Sequence, residues 1–425
     1  MSAENSGDNS NPVVIRSREQ LIFMLSEAST LEHMVMCQYL FASFALKRNV
    51  SEGITPEQLE AVRRWDRVIT EVAEEEMKHL SLANNLLTAI GAAPHFGRPN
   101  FPLRSRYFPS SVRLALMPLD DVSLRFYLYL ERPENVAVAD VPGFDTSEAR
   151  ASGEEIVPEG QMFATIGQLY RGIEEGLKFL VENYGEKAVF IGSPESQATA
   201  EHFGWKELIS VTDMQSAQRA IDSIVTEGEG ARGDWKEAHF GKFLGILNEY
   251  TEIKAKDPAF NPSRPALAAF TQLPGDAETA EIIDDELTGK VSDLFNASYE
   301  LLLQMLSRYF LQVETTNEEL HLLAGVSIRL MVTVIKPLGT LLTTMPVGPH
   351  RPGLTAGATF EMYRMSYLLP RSRAAWAILR ERLLELTGYC SELSRIPTAP
   401  KILLAVEKAL GNQAKAFENF VTAPA

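Results

Sequence analysis

Apolar residues recur at helical spacing in long blocks along most of this chain, and polar capping sequences mark where the blocks begin. The first block opens at Ser17-Arg-Glu-Gln20, where a serine and a glutamine three residues on can satisfy two free amides of a helix start. Leu21, Met24, Leu25, Ala28, Leu31, Val35 and Leu40 then share a face, which predicts a helix to about Arg48. Thr55-Pro-Glu-Gln58 is a second start, with Pro56 at the first helical position, where a missing N–H costs little. That helix is predicted to reach Ile90 and stop at Gly91, a length of about 50 Å at about 1.5 Å per residue. Two long helices joined by a short polar loop pack as an antiparallel hairpin.

The helical period then lapses. Ala92 to Gly160 carries prolines, and Val122 to Leu130 reads as β-like; an excursion of this length is a candidate functional loop. Met162 to Glu182 is helical again, with Ile166, Leu169, Tyr170, Ile173 and Leu177 as its stripe. Phe190 to Ser210 reads as an irregular or hairpin insertion. Thr212-Asp-Met-Gln215 caps a segment that continues to Thr226, Glu227-Gly-Glu-Gly230 interrupts it, and Asp234-Trp-Lys-Glu237 restarts a helix to about Ile253. After a Pro-rich loop at Lys256 to Pro274, helices are predicted over Asp284–Leu311, Asn317–Leu342, Arg371–Leu393 and Lys401–Phe420, with a rigid turn at Met345–Gly353. Their wide apolar faces favour packing on the first half of the chain over independence. The expected fold is all-α. Residues 1–16 form a disordered tail, 17–256 a metal-binding four-helix bundle with an insertion at 92–160, and 257–425 a helical extension packed on the bundle.

Composition adds exclusions. A formal net charge of −16 repels nucleic acid and anionic membranes, so neither is an expected partner. Cys37 and Cys390 are the two cysteines; lone thiols far apart make neither a disulfide framework nor a zinc knuckle, and a cytoplasmic setting fits. Residues 1–12 lack the basic and apolar regions of a signal peptide. The most apolar stretch, Leu322 to Met345, contains Arg329 and Lys336 and reads as a buried helix.

The candidate chemistry lies on the helices. Glu76 and His79 are three residues apart and so share a helix face, the E-x-x-H pattern of carboxylate-bound metal centres in bundles. On a helix that also carries Glu71, Glu74 and Glu75, a solvated face is the competing reading. Glu32 sits among Leu31, Met34, Val35 and Met36, where an unpartnered carboxylate is costly to bury, so it calls for a cation, a buried salt bridge or a turn to solvent. Tyr39, two turns along the same face, is a candidate catalytic tyrosine and hydrogen-bond partner, or a packed core aromatic; Tyr170 on the third helix is the second candidate. Glu174 falls on the inward stripe and is the third-helix ligand candidate, with a surface position as its alternative and Gln168 as a weaker one. The fourth helix offers His239, but three residues earlier stands Lys236, which does not bind metal while protonated. Glu229 in the glycine-flanked break is the candidate carboxylate there, its alternative being a surface loop.

Leu31-Glu32-His33 with Cys37-Gln-Tyr-Leu-Phe-Ala42, Glu74-Glu-Glu-Met-Lys-His79-Leu80 with Ala83-Asn-Asn-Leu-Leu87, Thr165-Ile-Gly-Gln-Leu-Tyr170, and Ile224–Gly230 with Ala238-His-Phe240 and Phe243 resemble the ferritin-like domain of the iminophenyl-pyruvate dimer synthases. The family includes parts of the enzymes that assemble violacein- and rebeccamycin-type bisindoles by oxidative coupling of imines of aromatic 2-oxo acids. The resemblance covers roughly Ser17 to Tyr250. It implies a ferritin-like bundle with two metal ions and makes Glu32, Glu76, His79, Glu229 and His239 the ligand candidates; Glu174 comes from face geometry alone. The expectation is a di-iron oxidoreductase or oxygenase, with manganese or a mixed manganese–iron pair as alternatives. Dioxygen and a small organic substrate are the expected partners, with an external reductant and a homodimer left open. An inactive helical scaffold and a metal-storage protein are the rival readings.

Overall fold

A computed structural model of the chain describes residues 13–104, 113–133, 161, 163–228, 230, 235–272, 281–313, 315–363, 366–368 and 370–422. Helices α1 (Arg18–Ala45) and α2 (Pro56–Ala89) form the expected hairpin. Ser17 Oγ accepts from the Gln20 amide, and Thr55 and Gln58 complete a reciprocal cap with Pro56 in the first turn.

The segment read as β-like is helical. α3 (Asp121–Leu130) starts from an Asp120–Ser123 capping box. Its misreading has a physical cause: Leu124 and all residues from Phe126 to Leu130 are buried, so the helix has almost no polar side to set a 3.6-residue period. Among the described residues, strand pairing in the insertion is limited to Leu103–Arg104 against Arg113–Leu114.

The second half of the bundle is built from broken columns. α4 (Ile166–Tyr184) packs against α5 (Met214–Gly228), and α3 packs against α6 (His239–Lys256). α1 touches α4, and α2 touches both α5 and α6. The residues between α4 and α5 are irregular, with short turns at Pro194–Ser196 and Ala200–Phe203. Val13 and Ile15, expected in the free tail, are buried instead. They lie along α4, where a Cβ on Gly172 would fall 2.4 Å from Val13 Cβ; only glycine permits that approach.

The extension comprises α7 (Glu286–Phe310), α8 (Asn317–Leu330), α9 (Lys336–Leu342), α10 (Ser372–Ser394) and α11 (Ile402–Ala416). A π-wound turn, Met331–Ile335, joins α8 to α9. Pro337 has no N–H to give and its ring crowds the carbonyl four residues earlier, which widens the helix there. By length and composition Asn317–Leu342 is apolar enough to cross a membrane, and half of that window is buried within the protein. The extension docks on the outer side of α1. His33 meets Tyr299, and Gly339 lies so close to the Phe44 ring that a Cβ would sit 2.4 Å from it.

Candidate metal centre

Five ionisable side chains converge inside the bundle. Glu32 comes from the middle of α1, and Glu76 and His79 come from one face of α2. Glu131 is the residue that ends α3, and His239 is the first residue of α6. Each is at most 2% exposed. Both broken columns are interrupted at this level: α3 stops at Leu130, three residues before Pro133, α5 stops at Gly228, and α6 begins at His239. Helix ends, rather than helix faces, therefore deliver Glu131 and His239.

The five groups form two overlapping sets. Ligand atoms of Glu32, Glu76 and His79 lie within 4.8 Å of one another, and so do those of Glu76, Glu131 and His239. Glu76 belongs to both sets and offers each a different oxygen. Its Oε2 is 3.1 Å from His79 Nδ1, and its Oε1 is 3.0 Å from His239 Nδ1. His79 Nδ1 is 3.8 Å from Glu32 Oε2, and His239 Nδ1 is 3.4 Å from Glu131 Oε2. The imidazoles stack with centroids 5.5 Å apart.

An outer layer repeats on both sides. Tyr170 donates to Glu32 Oε1 at 2.6 Å, and Tyr39 donates to Glu131 Oε1. The outward nitrogen of His79 meets Glu227 at 3.3 Å, and Glu227 pairs with Lys78 at 3.2 Å. The outward nitrogen of His239 meets Glu75 at 3.1 Å, and Glu75 pairs with Lys242 at 2.7 Å. A carboxylate on the far nitrogen fixes the ring and its tautomer, as in carboxylate–histidine–metal triads. Tyr39, Tyr127 and Phe243 pack ring against ring beside Glu131 and keep water from that side.

Electrostatics report the crowding. Burial, and then the neighbouring Glu76 charge, raise the carboxyls of Glu32 and Glu131 above their ordinary range. Burial also works to raise Glu76, but His239 and His79 hold it well below. Burial opposes charging of His79, yet Glu227, Glu76 and Glu32 lift it to about 9; His239 is likewise raised against burial, by Glu76, Glu131 and Glu75. Burial, and then Glu131 and Glu32 respectively, push Tyr39 and Tyr170 well above the usual phenol range, so both stay protonated as donors. Burial opposes ionisation of Glu227, which its His79 and Lys78 partners hold down at about 2. Two like charges at 4.8 Å repel by about 3 kcal/mol at an effective dielectric near 20, so three carboxylates here need positive charge among them. Buried Nδ1 of His239 has no hydrogen-bond partner, although carboxylate oxygens from two residues lie within 3.4 Å. Once that nitrogen gives up its proton, its lone pair beside the shared carboxylates completes a donor set that fits a cation.

The structure brings Glu32, Glu76, His79 and His239 together, with Tyr39 and Tyr170 beside them. It does not bring Glu174: that carboxylate pairs with Lys178 at 2.8 Å and accepts from Gln218 at 3.1 Å, toward α5. Tyr170, one turn earlier, already fills the inward position of α4. Gln168 accepts from the Ala164 amide at the start of α4. Glu229 lies outside the described residues, while Glu227, two residues before it, reaches His79 rather than His239. Sequence reasoning missed Glu131 and the role of Glu75. The available signal for Glu131 was the Asp120-x-x-Ser123 cap, which starts a helix ending on a carboxylate just ahead of Pro133.

The class defined by this geometry is a helical bundle enclosing paired carboxylate–imidazole clusters compatible with metal binding. The chain belongs to the ferritin-like family, whose model matches residues 25–248. It is similar to dichlorochromopyrrolate synthase of Lentzea aerocolonigenes, 27% identical over 420 residues that cover 90% of this chain and 40% of that protein. It is also similar to 2-imino-3-(indol-3-yl)propanoate dimerase of Chromobacterium violaceum, 27% identical over 400 residues that cover 88% of this chain and 37% of that protein. The chain thus spans about two fifths of the length of these curated relatives. A crystal structure of a ferritin-like protein from Caulobacter vibrioides aligns with a TM-score of 0.47 at 17% identity, covering 70% of this chain and 88% of that one.

Proposed function

We propose that this chain is a non-haem di-iron oxidoreductase that uses dioxygen to oxidise a small organic substrate, an imine derived from an aromatic amino acid. The observation that carries the reading is the sharing of Glu76 between two buried carboxylate–imidazole sets. Glu32, Glu76 and His79 would hold one ion, and Glu76, Glu131 and His239 the other. When bound, the ions supply the redox equivalents that dioxygen chemistry requires and Lewis acidity toward the substrate.

The chain's own groups have defined tasks. The inner carboxylates neutralise cation charge, and the Glu75–Lys242 and Glu227–Lys78 pairs aim the two imidazoles inward. Tyr39 and Tyr170 orient Glu131 and Glu32 while retaining their protons. The aromatic wall of Tyr127 and Phe243 excludes water from the Glu131 side. The substrate class rests on the names of the two relatives, one a synthase of dichlorochromopyrrolate and the other a dimerase of an imino acid. An external reductant completes the partner set.

Metal analysis after anaerobic iron loading tests this reading. About two irons per chain, with oxygen uptake on adding reductant, is the expected result. Glu76→Ala with His79→Ala should lose both ions while circular dichroism stays helical. Unchanged metal content in that folded variant would overturn the assignment of the site. Absence of metal after loading would favour an inactive scaffold. Manganese taken up in preference to iron would change the metal and keep the site, since these ligands discriminate weakly among first-row ions.

A further inference from the structure

A second cluster lies outside the bundle core. Glu201 and His202 sit on the short turn Ala200–Phe203 between α4 and α5, and His321 stands in the second turn of α8. Ligand atoms of all three lie within 4.8 Å of one another. His321 Nε2 is 3.3 Å from Glu201 Oε1, the separation of two neighbouring ligand atoms when each bonds a tetrahedral ion at about 2.0 Å. The His202 and His321 rings are nearly perpendicular at 87°, with centroids 4.6 Å apart.

The surroundings suit His202 as a ligand. Its Nδ1 is engaged by Tyr309 Oη from α7, and its Nε2 faces Asn317 Oδ1 at 2.7 Å. Asn317 also donates to Glu201 at 3.0 Å, so one amide side chain bridges the pair and can turn aside. A hydroxyl on the far nitrogen is the kind of outer partner that fixes the tautomer of a metal-bound histidine. Asn317 and His321 are four residues apart and therefore stack on one face of α8. That face looks onto the 200–203 turn, so the cluster spans the seam between bundle and extension.

We propose that Glu201, His202 and His321 form a second, peripheral site for a divalent transition cation of the zinc type, separate from the buried centre. Two neutral imidazoles and one carboxylate form a donor set for zinc, with water completing a tetrahedral shell at this exposed position. Bound there, the ion ties the α4–α5 connection to the first turns of α8. The consequence is mechanical: metal at the seam holds the extension against the bundle.

The test uses the full chain with zinc, and with cobalt as its spectroscopic substitute. Equilibrium dialysis of the wild type should show one zinc more than the His321→Ala variant, whose lost side chain is half-exposed. Glu201→Gln should weaken that same zinc at least tenfold, the lower end of losses seen on disturbing metal sites. Cobalt should give the intense visible bands of a tetrahedral site in wild type and lose that component in His321→Ala. Zinc should also raise the melting midpoint of wild type more than that of His321→Ala. The Glu76→Ala, His79→Ala chain should retain the peripheral zinc, which separates this claim from the fate of the buried centre. Identical zinc stoichiometry and melting shift in wild type and His321→Ala would overturn the proposal, as would disappearance of all zinc with the buried ligands alone.

Discussion

Glu131→Gln isolates one half of the buried centre. The glutamine has the same shape, and its carbonyl oxygen still accepts from Tyr39 Oη, so the polar contact survives. What changes is charge and ligand strength. Without metal, the ionised Glu131 carboxylate is disfavoured by burial and by Glu76. Removing the charge should therefore leave the metal-free protein at least as stable as wild type. With metal, the ion held by Glu76, Glu131 and His239 loses a charged ligand. A ligand present at about 100 times its Kd stabilises the fold by about 2.7 kcal/mol. For 425 residues the unfolding entropy near the midpoint is about 0.9 kcal/mol/K. The metal-induced rise in melting midpoint should then shrink by about 3 °C. The assay is a pair of melts, with and without ferrous iron under anaerobic conditions, alongside elemental analysis. The expected stoichiometry falls from about two irons to about one. A Glu131→Gln chain with two irons and the full wild-type rise would refute the reasoning.

Further outcomes follow from the same geometry. Tyr170→Phe removes the donor to Glu32 Oε1 at 2.6 Å and leaves a buried carboxylate short of a partner, so urea unfolding of the metal-free protein should show a loss of about 1–3 kcal/mol; an unchanged unfolding midpoint counts against the contact. Metal-free His79 has a folded value of about 9 against an ordinary 6.5, so its protonated form stabilises the metal-free fold fully below 6.5 and that contribution fades as pH rises through 9. A metal ion must displace that proton, so iron affinity should climb from pH 6 to pH 9 with measurable proton release; pH-independent affinity contradicts it. Gly339→Val drives a branched side chain into the Phe44 ring, where even a bare Cβ would lie 2.4 Å from ring carbon; overpacking should cost about 1–3 kcal/mol and open the bundle–extension seam to limited proteolysis, and resistance equal to wild type would argue against docking at this point.

The elements that announce themselves by caps and amphipathic stripes were legible. Ser17 and Thr55 mark the starts of α1 and α2, and the E-x-x-H spacing puts Glu76 and His79 on one face whatever the tertiary structure. Glu32 was legible because burial of a lone carboxylate asks for a partner. The failures share a cause. α3 is buried nearly all round, so its pattern lacks a polar phase, and the ligand at its end went unseen. Glu174 satisfied the inward stripe of α4, but a stripe reports only direction from the axis. It does not say which level along the axis carries the site, and that level belongs to Tyr170. Glu227 and Glu75 act through histidines from other helices, an arrangement set by tertiary contact that local spacing does not encode.

The two halves of the centre differ in what holds them. Glu32, Glu76 and His79 all stand on the continuous α1–α2 hairpin, where long helices fix their spacing. The second set keeps Glu76 but takes Glu131 and His239 from the ends of interrupted columns, whose positions depend on how α3 and α6 dock. A site pre-arranged by one rigid unit loses less entropy on binding than one that must order separate helix ends. Iron titration of the metal-free chain should therefore proceed in two steps, the hairpin site filling first. Calorimetry or a shift in spectrum on anaerobic addition of ferrous ion reads the steps. Glu131→Gln should keep the first and remove the second, whereas Glu32→Gln should weaken the first. A single cooperative uptake that Glu131→Gln abolishes entirely would show the two positions to be one unit and end the distinction.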